Sequence, residues 1–169
     1  IESAKNYVSS LPFTVNMILL NGYYINSLGD DYNSISVESI DRSSLVWSEN
    51  NPFELSSFCL VNQGVRLSIT KSQNHDSPFV ILSLTSATYS ASTHPVVSIH
   101  VNNSVSANIH LHHHCLSNEN ILSNAIIDIQ LLDSSSCELS QFKPESPQSN
   151  FLESIIVDAA ENSKFKYLS

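Results

Sequence analysis

From Gly64 onward the chain alternates apolar and polar residues in short runs separated by polar breaks. The stretches "GVRLSITKSQNHDSPFVILSLTSATYS", "HPVVSIHVNNSVSANIHLHHHCL", "NAIIDIQLLDSSSCELSQFK" and "SIIVDAAENSKFKYLS" each read as a strand, a polar break and a second strand, since strand side chains point alternately to opposite faces. They look like one unit repeated. Aligning the breaks puts Ile69, Val101, Leu131 and Val157 in corresponding places, about thirty residues apart. Short β units recurring at a near-constant period suit a solenoid, in which each coil buries its inner face only against the next. The expected architecture is all-β, a right-handed parallel β-helix over residues 51–169. A β-sandwich, whose strands also recur at short intervals, is the competing reading.

Residues 1–50 read as a separate, mixed N-terminal segment. "ESAKNYVSSLPF" predicts a short helix that ends before Pro12, because the residue preceding proline is pushed out of the helical region. In "MILLNGYYI", Asn21-Gly22 between an aliphatic and an aromatic run predicts a β-hairpin with a type I′ turn. "ISVESI" alternates as a half-exposed strand. Between Ser43 and Leu60 turn residues lead into a helix beginning near Asn51 or Pro52.

Composition narrows the function classes. The 169 residues carry a formal charge of -9, which repels phosphate backbones and anionic lipid headgroups, so neither nucleic acid nor membrane is an expected partner. The longest apolar cluster, "VNMILL", is far short of a membrane span. Cys59, Cys115 and Cys137 are odd in number, widely spaced and without a CxxC pair, which favours a reducing, cytoplasmic setting over a disulfide framework. The chain begins at Ile1 with no initiator Met and no cleavage pattern, which suggests that its native start lies elsewhere. The only glycines are Gly22, Gly29 and Gly64, so turns must rely on Asn, Asp and Ser.

Taken in order, the segments resemble the SufB/SufD family of iron–sulfur cluster assembly scaffolds, SufD more than SufB. "MILLNGYYINSLGDD" is similar to that family's Asn-Gly hairpin, and "NPFELSSFCLVNQGVRLSI" to its Pro-Phe segment leading to a Gly-initiated strand. "SPFVILSLTSA", "HPVVSIHVNNSVSANIHL", "NAIIDIQLLDSSSCELSQFK" and "ENSKFKYLS" resemble its successive coils. The resemblance runs from about Val15 to Ser169 and lies in order and spacing, not in any single motif. Thr93-His94-Pro95-Val96 lacks the family's usual Arg, and no position here matches the functional Cys and His residues of the family's C-terminal region. The resemblance implies a non-catalytic scaffold that pairs with a SufB-like subunit and acts with a SufC-like ATPase. The iron–sulfur cluster would be assembled in that complex, with no cofactor bound by this chain alone.

Chemistry-bearing residues concentrate in "NIHLHHHCLS". On a strand His110, His112 and His114 share one face while Leu111, His113 and Cys115 share the other. Alternate side chains on a strand lie about 6 to 7 Å apart, too far for three imidazoles to meet one ion without bending the strand. The stripe therefore reads as the polar, solvated outside of a coil, with a metal held by two of them plus Cys115, or a subunit contact, as the alternatives. The cysteines read as buried small hydrophobes. No catalytic or metal-ligating residue is assigned, and cofactor-binding residues are unknown; no Walker motif or nucleophile elbow is present. Asp128 and Asp158 could fall on successive coils, as a carbohydrate-active β-helix enzyme would place its carboxylates. That enzyme, or a lectin, is the alternative function, although from Gly64 on aromatic platforms reduce to Tyr89, Tyr167 and a few Phe, with Trp47 lying earlier. An isolated chain could also pair with itself as a homodimer.

Overall fold

A computed structural model describes residues 2–27, 34–41, 43, 51–61, 63–73, 76–143 and 149–169. Trp47, Gly29 and most of the predicted junction between the hairpin and Pro52 lie outside the described residues.

Helix α1 (Glu2–Ser10) stops just before Leu11 and Pro12, and strands β1 (Met17–Leu20) and β2 (Tyr23–Ser27) form the hairpin. Its turn is set by Asn21 and Gly22, with φ of 52° and 84°, the positive values that both central residues of a type I′ turn require. Strand β3 (Ile35–Asp41) is followed by α2 (Pro52–Leu60). Asn51 caps that helix by accepting from the Phe53 N–H, and Pro52 occupies the first turn, where a missing N–H costs nothing.

Then come β4 (Gln63–Ile69), β5 (Phe79–Thr85), β6 (Ala91–Thr93), β7 (Val96–Val101), β8 (Ser106–Cys115), β9 (Ile121–Leu131), β10 (Ser136–Phe142), β11 (Ser149–Ala159) and β12 (Lys164–Leu168). The strands fall into two sheets, in the orders β12-β10-β8-β5-β1-β2 and β11-β9-β7-β4-β3, with β6 also paired to β9; from β7 onward they alternate between the two. Every pairing from β4 onward with a later strand is parallel, at a displacement of one coil. This is a parallel β-helix of about three turns, and the sandwich reading falls because a sandwich pairs its strands antiparallel. Strand β1 adds to β5 in parallel and β3 adds to β4 antiparallel, so the strands of the 1–50 segment lengthen the same two sheets.

Inward-facing residues stack in rows: Leu67, Ile99 and Ile129 in one sheet, Phe79, Ile109 and Leu139 in the other. Each is almost fully buried, and burying such a side chain contributes about 1.5–3 kcal/mol. Ile69, Val101 and Leu131 share one row as the sequence implied, but Ala159 takes the fourth place and Val157 pairs with Ile129. The slip is two residues, which keeps the same face and so leaves the alternation unchanged; alanine simply carries too little hydrophobic signal to mark the row.

The corners explain how the chain manages with so few glycines. Ser104, Ser134 and Asn162 occupy the left-handed region with φ of 58°, 56° and 58°. The same turn closes at each, through Val105 N–H to Asn102 O, Ser135 N–H to Leu132 O and Ser163 N–H to Ala160 O. Successive corners also bond to one another, Ser104 N–H to Asp133 O and Ser134 N–H to Glu161 O, which offsets the cost of a left-handed L-residue.

Candidate functional site

Strand β8 places its histidines as alternation demands: Ile109, Leu111 and His113 are buried inside, while His110, His112 and His114 face outward. The outer three are only partly exposed, because other elements lie over two of them. Helix α1 and the extended residues after it cross the outside of this sheet, packing Tyr7, Val8 and Leu11 against Ile18, Leu82 and Leu84. Tyr7 stacks on His114 with ring centroids 4.0 Å apart and planes at 9°. Phe13 and Phe142 lie 4.7 and 5.7 Å from His112. Burial lowers the pKa of His112 and His114 below the usual imidazole value, and the charges of His110 and His113 add to the effect at His112. Neutral rings stacked under aromatic side chains are the result. The sequence could not show this, since what covers a strand's outer face is set by a helix a hundred residues away.

The cysteines divide. Cys137 lies in the core, and burial, with Glu138 nearby, pushes its thiol up to about 12, so it is no nucleophile at neutral pH. Cys115 is half-buried with its Sγ 3.6 Å from the Ser117 carbonyl. Cys59 is exposed, against expectation, because α2 turns Glu54 and Ser57 toward the body of the protein and carries Cys59 outward. Among the described residues no group of three or more His, Cys, Asp and Glu converges as a metal would need.

Asp128 and Asp158 do lie on adjacent strands, but in register Asp158 faces Gln130, two residues beyond Asp128. Asp128 accepts from Ser98 Oγ at 3.1 Å, and the same Oγ lies 3.1 Å from His100 Nε2. The serine stands between carboxylate and imidazole. A hydrolytic triad needs the histidine in the middle, so this trio does not activate a nucleophile.

Within the coil a polar group gathers that the sequence did not announce. His113 from β8, Gln141 from β10, Glu153 from β11 and Tyr167 from β12 meet with Lys143, joining both sheets. Gln141 Nε2 donates to Glu153 Oε1 at 2.7 Å, Lys143 Nζ to Glu153 Oε2 at 2.6 Å, and Tyr167 Oη to Gln141 Oε1 at 2.6 Å. His113 Nε2 lies 3.6 Å from Glu153 Oε1, too long for a hydrogen bond, and Phe151 meets the ring edge-on at 4.6 Å. Burial alone would raise the Glu153 carboxyl, but His113, Lys143 and Gln141 outweigh it and hold it below the usual carboxylate range. The inward row Met17, Ile81, Leu111, Gln141 turns polar at its last member, and His113 follows Leu19 and Ser83 in the next row. The group can hold a charge inside the coil, and it contains no activated nucleophile. A signal was available: Gln141 and His113 occupy apolar phases of their strands.

A concavity of about 440 Å³ lies where the hairpin, the end of α2 and the β5–β6 connection meet. Gly22 sits 3.3 Å, measured from where a Cβ would stand, from His94 O and Pro95, so a side chain here would crowd that backbone as well as strain the positive φ. Asn21 clasps Ser86 twice, donating from Nδ2 to its carbonyl and accepting its N–H at Oδ1, both at 2.8 Å.

No known protein-family model matches this chain, and no curated protein matches it significantly.

Proposed function

We propose that this chain is a SufD-like, non-catalytic scaffold subunit of a cytoplasmic iron–sulfur assembly complex. It pairs with a SufB-like subunit and works with a SufC-like ATPase, and the cluster is cargo of the complex. The observation that carries this reading is the construction of the coil ends. Strands β11 and β12 run parallel to the strands beneath them, have no fully buried residue, and present Val157, Tyr167 and Leu168 more than a third exposed. A partly covered parallel coil is a template for further strands, whether of this chain or of another, and a SufB-like subunit would fit such an edge. The formal charge of -9 argues for protein partners over nucleic acid, and no helix among the described residues is long and apolar enough to cross a membrane.

Co-expression with SufB-like and SufC-like proteins from one source, followed by native mass spectrometry, tests the reading. A stoichiometric complex containing this chain supports it; soluble partners that assemble without it count against it. Stoichiometric iron and acid-labile sulfide on the isolated chain with Cys59, Cys115 and Cys137 all changed to Ser would overturn the passive-scaffold role.

A further inference from the structure

The outward stripe of β8 divides once α1 is in place. Tyr7 takes His114 in a close stack, whereas His110 and His112, two residues apart on the same face, have ring centroids 6.5 Å apart. Neither of these two imidazoles makes a hydrogen bond among the described residues, and neither has a ring nitrogen shut off from solvent. His113 is the contrast, with both ring nitrogens enclosed in the coil. On each of the outer two rings a nitrogen lone pair is therefore open to a ligand.

An enclosed metal centre takes three or four protein ligands, and no such group gathers among the described residues. An exchangeable one can rest on a chelating pair, with water in the remaining positions. Two imidazoles that hold one ion through nitrogens at about 2.0–2.1 Å put their ring centres about 5–6 Å apart, so a pair standing at 6.5 Å closes by side-chain rotation alone. Across the sheet His110 is flanked by Val80 and Ser140, and His112 by Leu82 and Phe142, so the immediate neighbours add no carboxylate. Glu138, one row along, is engaged by Lys166. Nitrogen donors without carboxylates suit zinc, nickel and copper, whereas calcium and magnesium need oxygen. Burial lowers the His112 pKa, which leaves its ring neutral and able to ligate at neutral pH. Contacts with Phe13 and Phe142 restrict that ring, so it has less freedom to lose on binding.

We propose that His110 and His112 form an open, two-nitrogen chelate for a divalent transition ion, zinc, nickel or copper, on the outer face of β8. His114 stays under Tyr7, and Cys115 belongs to the opposite face of the strand, so neither joins the pair. The formal charge of -9 concentrates cations around the chain. Water completes the coordination shell, which makes the ion exchangeable and leaves positions that a group from another molecule can take. No cysteine or sulfide is involved, so the site is independent of the scaffold role, and either can fail alone.

Isothermal titration calorimetry on the full, untagged chain, with nickel, zinc, calcium and magnesium chlorides as separate titrants, tests the site. The expected result is one nickel or zinc ion per chain with a Kd below about 100 µM, weakened about tenfold or more in His110→Ala and, separately, in His112→Ala. Calcium and magnesium should give no binding heat at the same concentrations, and His114→Ala and Cys115→Ser should bind as the wild type does. Should His110→Ala fail to fold, by its circular-dichroism spectrum, His110→Gln takes its place with the same expected loss. No nickel or zinc binding in that range, affinity unaltered in either the His110 or the His112 variant, an equal loss in His114→Ala or Cys115→Ser, or equal binding of calcium or magnesium overturns the proposal.

Discussion

The two ends of this coil stack are built on different rules. At one end β2 and β3 run antiparallel to their neighbours, and Tyr24 and Val37 from these strands pack onto the core. At the other, β11 and β12 continue the parallel direction and only half-cover the apolar rows below, with Ile155 and Phe165 partly buried. An antiparallel strand breaks the evenly slanted hydrogen-bond pattern that a parallel coil repeats, and so halts the stack. The difference teaches that a solenoid is terminated by reversing a strand as much as by covering it.

Substitutions along one apolar row measure that contrast. Ile99→Ala in the middle of the stack removes a fully buried side chain and should cost about 2–5 kcal/mol in urea unfolding. An Ile99 variant losing less than the end-coil variants below would mean that the stack is not held by its central rows. Glu153→Ala leaves Gln141 and Lys143 without their shared acceptor, with an expected loss of about 1–3 kcal/mol. Because the folded state lowers the Glu153 pKa, the carboxylate's contribution is complete above the unfolded-state value and disappears as pH falls through the folded one. Wild-type stability should therefore drop in acid more steeply than that of Glu153→Gln, as equilibrium unfolding across acidic pH would read.

Smaller effects sharpen the picture. Ser134→Gly relieves a left-handed L-residue and should stabilise by up to about 1 kcal/mol, visible as a raised denaturation midpoint. Val157→Lys at the outer coil should alter stability by no more than about 0.5 kcal/mol while removing a SufB-like partner in native mass spectrometry. Retention of the partner by that variant would place the contact elsewhere. On the outer face His112 and His114 have pKa values below the free one, so the unfolded chain takes up protons first as pH falls below about 6.5. Protection of α1 against proteolysis should weaken through that range, and less so in a His114→Phe variant.

What was legible in the sequence was what local chemistry decides. The Asn-Gly hairpin, the capped start at Asn51 and the strand alternation each depend on residues within a few positions of one another, and each stands as expected. Register depends on neighbouring coils, and there Val157 was placed two residues from the row it was assigned. Sites were less legible still. The cover of Tyr7 and Phe13 over His114 and His112, the contact between Ser57 and His94, and the meeting of His113 with Glu153 join residues tens to more than a hundred positions apart. Only the inward phase of His113 and Gln141 hinted at any of them.

The corners have one more implication. Asn103 precedes one left-handed serine as Asp133 precedes the next, and the chain passes through the same path at both. Excising residues 104–133 would splice Asn103 directly to Ser134 and leave a shorter protein whose remaining rungs still match. A gene for such a protein can grow or shrink by whole rungs, so its length becomes something evolution can count in units.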